Sequence, residues 1–140
     1  MGAATAGVTV SFGWDSVRLG LHVLAASVWV GGQIVLAGLV PGLRAVGPHA
    51  PSVAARRFAR LSWPAYAVLV ATGAWNVAVA SQDSRAWRVT LGVKLAVVAL
   101  SGLAALAHSR ARSRRGLAAW GALSGLSAVA ALYLGVVLSS

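Results

Sequence analysis

The chain has 140 residues, of which 59% are hydrophobic and only 10% charged. A soluble domain of this size carries about a quarter charged residues, so the composition excludes an ordinary soluble globular protein and implies an integral membrane one. The absence of Cys removes disulfides, thiolate metal sites and thiol redox chemistry. The net charge of +10 does not indicate nucleic acid, because the basic residues cluster between apolar runs, as membrane topology requires.

In chain order, residues 1–15 are small and polar, and are expected to be poorly ordered. They contain no basic stretch, so they do not resemble a cleaved signal peptide. Four apolar runs follow, at about 16–40, 61–80, 89–108 and 116–138. Each has the roughly 20 residues needed to cross a hydrocarbon core of about 30 Å. The first is expected to end at Pro41-Gly42, a pair that helices rarely continue through. A loop with Pro48, Pro51 and Arg44, Arg56, Arg57 and Arg60 should come next, with Pro64 in the first turn of the second span. The predicted fold is all-α: an integral membrane antiparallel four-helix bundle forming a single domain over residues 1–140. The first and third loops together hold eight Arg. Arg18, Arg85 and Arg88 on the opposite side are offset by Asp15 and Asp83, the only acids. The positive-inside rule then puts the Arg-rich loops in the cytoplasm and both termini outside.

The first run, LGLHVLAASVWVGGQIVLAGLV, contains more than an anchor needs. His22, Trp29 and Gln33 are offset by seven and eleven residues from the histidine and fall near one line of a helix. That line should face protein, since a polar group turned to lipid is costly. At 1.5 Å per residue, each span offers one polar side chain roughly 6–10 Å below the outer surface. These are His22, Asn76, Lys94 and Tyr133. An outward-facing polar site in the bundle core is the expectation, with His22 as metal ligand and Lys94 as a cation for an anionic group or a proton donor. Each residue also has a plainer reading. Lys94 can snorkel to the interface, His22 can bond a carbonyl, Asn76 can join helices and Tyr133 can anchor at the membrane surface.

His108 shares a face with Lys94 and Ser101, at the cytoplasmic end of the third run, and reads as interfacial. Thr72-Gly73 and Gly121-x-x-x-Gly125 read as close-packing patches. No span contains a carboxylate, which counts against a hard-cation site and against a general acid/base pair. Met occurs only as Met1, so Met-rich copper(I) coordination is excluded. No catalytic set stands out, and the sequence leans away from an enzyme.

Together these segments resemble a known family. His22, Trp29, Val30, Gly31 and Gly32, followed by Pro41, resemble the opening helix of the bacterial copper-resistance protein D domain. RRFARLSWPAYAVLVATGAWN, with Arg57, Phe58, Arg60, Leu61, Thr72 and Gly73, is similar to its next helix, and LGVKLAVVALSGLAALAHSR, with Lys94, to the one after. The resemblance covers about residues 17–135 and implies copper uptake or tolerance at the bacterial inner membrane, with copper bound or passed at His22. That family typically has about twice as many spans, and the acid common at the start of its last helix is replaced in GLAAWGAL. More distantly, the chain is similar to the HemJ-type protoporphyrinogen oxidases, which pair a His in the first helix with a Lys in a later one. That likeness implies haem b, with His22 as axial ligand, Lys94 meeting a propionate or the iron and Trp29 packing on the macrocycle. The expected partners are membrane lipids and a second copy in a homodimer. Asn76, backbone or that second copy would have to supply further copper ligands. A third reading is a structural subunit without a cofactor.

Overall fold

The computed structural model describes residues 13–139. Most of the segment expected to be disordered, residues 1–12, lies outside them. Four helices make up the described chain: α1 (Trp14–Val46), α2 (Ala50–Ala78), α3 (Arg85–Arg110) and α4 (Arg114–Ser139). Three of them, α1, α3 and α4, are long and apolar enough to cross a membrane. The fourth, α2, falls short because Ser62, Trp63, Pro64, Tyr66, Thr72, Trp75 and Asn76 dilute its apolar residues.

Two expectations about the first loop are corrected. Helix α1 runs through Pro41-Gly42 and ends only at Val46, where Leu43 O accepts from Gly47 N at 3.2 Å. Proline costs the helix only the backbone hydrogen bond that it cannot donate, and the turns continue past it. Helix α2 begins at Ala50, so Arg56, Arg57 and Arg60 stand on a helix and only Gly47, Pro48 and His49 remain as the turn. Pro51 sits in the first turn of α2, where its missing N–H is harmless, and Ala and Arg propagate the helix well. Pro64, expected in the first turn, lies inside α2 because the helix starts fourteen residues before it. Ser84 Oγ caps α3 by accepting from Trp87 N at 3.1 Å, and Ser113 Oγ accepts from Gly116 N at 3.0 Å where α4 starts.

The helices pack as two antiparallel hairpins, α1 with α2 and α3 with α4. In the middle of α1 a π turn spans Ser27–Gly31, and there α1 touches both α2 and α4. One backbone bond per residue shifts out of register in such a turn, which re-aims the side chains on it. The waist of the bundle forms at this level. Trp29 is 3% exposed and packs against Tyr66 and Trp63, with ring centroids 4.5 and 5.6 Å away. Trp29 Nε1 donates to Ser101 Oγ at 3.1 Å. The hydroxyl of Ser101 donates to Ser124 O, and that of Ser124 lies against Ser101 O, each at 3.0 Å, so the two serines clasp α3 to α4. Gln33 completes the group: its Nε2 donates to Trp29 O, and its Oε1 lies 3.0 Å from Ser124 Oγ. A Cβ on Gly102 would come within 2.5 Å of the Tyr66 hydroxyl, so glycine is what lets that hydroxyl reach Val98 O at 2.9 Å. Every buried polar group at the waist thus has a partner, as an apolar surrounding demands.

Candidate functional site

Above the waist, toward the N-terminus of α1, the two helices of the first hairpin are joined by polar rungs. His22 and Arg18 are one turn apart on α1, and Thr72 and Asn76 are one turn apart on α2. Running antiparallel, the two pairs meet as His22 with Thr72 and Arg18 with Asn76.

His22 Nδ1 lies 2.8 Å from Thr72 Oγ1. The Thr72 hydroxyl is itself 2.7 Å from Val68 O and 3.2 Å from Leu69 O, and its single proton goes to one of these carbonyls. With that proton donated to a carbonyl, the threonine oxygen accepts from Nδ1–H, the tautomer in which Nε2 carries the lone pair. Thr72 is 6% exposed, so this contact is shielded from water. The Gly73 backbone closes the rung on the ring, since a Cβ there would lie 3.4 Å from His22 Cε1.

Arg18 is the buried charge of the bundle, at 8% exposure. It donates to Asn76 Oδ1 and, at 2.9 Å, to Asp15 Oδ1. Its Nε is the one buried side-chain polar atom among the described residues without a partner. Lys94 comes from the other hairpin. Its Nζ rests against α4 where Gly135 has no side chain, and a Cβ there would sit 3.0 Å away. Both Lys94 and Arg18 are near enough for their charges to act on His22.

Of the five residues singled out in the sequence, the bundle brings His22 and Lys94 toward one another. Asn76 lies in the same layer, but its amide oxygen is taken by Arg18. Trp29 is not free to pack on a macrocycle, because two aromatic rings cover it and Ser101 holds its N–H. Tyr133 is 68% exposed and does not join the layer. It lies two residues from Gly135, and two residues on a helix turn a side chain by about 200°. Among the described residues no group of three or more His, Cys, Asp or Glu side chains is placed to hold a metal ion. His108 Nδ1 lies 2.8 Å from Leu117 O across the α3–α4 turn.

The sequence reading missed Arg18 and Thr72. It counted Arg18 as a loop charge and Thr72 as a small packing residue. The signal was available in the spacing: Arg18 precedes His22 by four residues, and Thr72 precedes Asn76 by four. Two such pairs on adjacent antiparallel helices are set to pair as rungs. Compared with protein-family models, curated proteins and solved structures, the chain matches none.

Proposed function

We propose that the chain is a four-span inner-membrane protein of the copper-resistance D type that binds or passes copper at His22, in the half of the bundle facing outward. The observation that carries this reading is the Thr72 contact, which orients the imidazole and, with Nδ1 donating to the threonine oxygen, makes Nε2 the lone-pair nitrogen. A hydrogen bond on the far nitrogen is how a protein fixes a histidine for a metal. Among the described residues one chain supplies only this one first-rate ligand, so a copper site requires backbone donors or a second copy.

A second reading, haem binding, is favoured by a specific observation: Arg18 and Lys94 both lie near enough for their positive charge to act on the imidazole. That repels a bare cation but suits an iron that arrives with its own ring nitrogens and anionic propionates and needs one axial imidazole. His22 would be the axial donor, and Lys94 the partner for a carboxylate.

The test is an absorption spectrum with metal analysis on one purified sample. The copper reading expects about one copper per chain, lost in His22→Ala and weakened about 10- to 100-fold in Thr72→Val. A Soret band lost in His22→Ala would instead establish haem. Neither signal, in protein made with copper and haem supplied, would leave a cofactor-free subunit.

The proposed topology puts the arginine-rich turns in the cytoplasm and both termini outside, from the eight Arg at one end against three Arg and two Asp at the other. With Ser113→Cys as the only thiol, an impermeant maleimide added to intact cells should leave the protein unlabelled and should label it once the membrane is broken.

A further inference from the structure

The arginine-rich end carries a binding surface of its own. Arg44, Arg56, Arg57, Arg60, Arg110, Arg112, Arg114 and Arg115 are all exposed. None makes a side-chain hydrogen bond or an ion pair among the described residues, and the only two acids of the chain lie at the other end. Every cation here is a guanidinium, the chain's single lysine being Lys94.

Five of these arginines share one depth. The waist fixes a common level, since Trp29, Tyr66, Ser101 and Ser124 are in mutual contact there. Arg56 and Arg57 stand ten and nine residues from Tyr66, Arg110 nine from Ser101, and Arg114 and Arg115 ten and nine from Ser124. At 1.5 Å per residue all five lie about 13–15 Å from the waist. With the waist at the bilayer midplane, that is half the thickness of a hydrocarbon core of about 30 Å and reaches the level at which lipid phosphates begin. The mounts are stiff. Turns of three residues join the helices at this end. His108 on Leu117 O and Ser113 on Gly116 N brace one, and Ser52 Oγ on His49 O braces the other.

We propose that this ring binds anionic phospholipid headgroups, with the recognised feature a phosphate whose charge no cation of its own headgroup neutralises. A guanidinium offers a planar fork that pairs two phosphate oxygens at once, which an ammonium does not. Five forks at one depth, with no internal acid to satisfy them, suit several lipids around the bundle rather than one ligand in a pocket. Juxtamembrane basic clusters of this size are attracted to anionic leaflets by about 1 kcal/mol per residue. The inference rests on the membrane reading and not on a metal at His22.

The test is native mass spectrometry of the full chain in a non-ionic detergent, titrated with phosphatidylglycerol or with phosphatidylcholine of the same acyl chains. Phosphatidylglycerol should bind about tenfold more tightly. The preference should vanish in a variant combining Arg56→Gln, Arg57→Gln, Arg110→Gln, Arg114→Gln and Arg115→Gln, all exposed positions, checked to melt as the parent does. Equal binding of the two lipids, or a preference untouched in that variant, would overturn the proposal. So would a duplex oligonucleotide that displaces phosphatidylglycerol at equal concentration. Detergent has no sidedness, so a failure of the topology test leaves this outcome standing, and the reverse also holds.

Discussion

Replacing Trp29 by alanine should cost the bundle about 3–5 kcal/mol, the range for deleting a buried aromatic side chain. The residue is 3% exposed and serves three neighbours at once. Its ring fills the space between Trp63 and Tyr66, and its N–H satisfies Ser101 on the opposite hairpin. Alanine leaves a cavity where the hairpins meet and leaves the Ser101 oxygen with one partner fewer. The control is Trp75→Ala: that indole is 47% exposed and outside the waist, and its loss should change stability by no more than about 0.5 kcal/mol. Unfolding in mixed micelles, followed by far-UV circular dichroism, measures both. Equal stability of the two variants would mean that the waist does not hold the hairpins together. Trp29→Phe separates the two contributions, since it keeps most of the ring and removes only the hydrogen bond.

The second large effect is expected at Asn76. Leucine there is close in volume and more apolar, so on hydrophobicity alone it should stabilise a helix in a membrane. The opposite is expected, a loss of about 3 kcal/mol, because the Arg18 guanidinium would be left buried with one arm unpaired and its Nε already without a partner. Asn76→Asp is the sharper probe. It restores an acceptor and adds a charge opposite to that of Arg18, so it should keep most of the parental stability. If Asn76→Leu proves as stable as the parent, Arg18 is reaching water after all, and the polar rungs are not what holds α1 to α2. Neither substitution touches His22 directly, so metal or haem retention in the Asn76 variants also reports whether the rungs act as a unit.

The polar groups inside the bundle do two different jobs. Those at the waist are engaged with one another: Trp29, Gln33, Ser101 and Ser124 each hydrogen-bond within the group. Those above it are less fully engaged. His22 keeps a lone pair, Lys94 makes no hydrogen bond or ion pair among the described residues, and Arg18 keeps one unpaired N–H. An unpaired buried donor is costly, so the layer that holds the Arg18 Nε is where a ligand has most to contribute. The waist holds the two hairpins in a fixed relation and thereby sets the distance between His22 on one and Lys94 on the other.

Much of this architecture could be read from the chain itself. Apolar runs of span length, broken by Ser-, Pro- and Arg-containing turns, call for four helices, because a backbone in an apolar medium must satisfy its own N–H and C=O groups and helices do so locally. The helical period also put His22, Trp29 and Gln33 on the face turned inward, since a period is a local property. What a single chain pattern could not reveal was how far the helices extend and which inward-facing groups meet. Pro41 is a helix breaker by its local chemistry, yet α1 carries it and ends five residues later at Val46. Depth along a span gives height but not azimuth, which is why Tyr133 matches the layer in height and still faces out. Arg18 looked like a surface charge until Asn76, fifty-eight residues away, was placed against it. Helix formation depends on neighbours in sequence; the partner of a buried arginine depends on how two helices are rotated about their axes, and only their packing decides that.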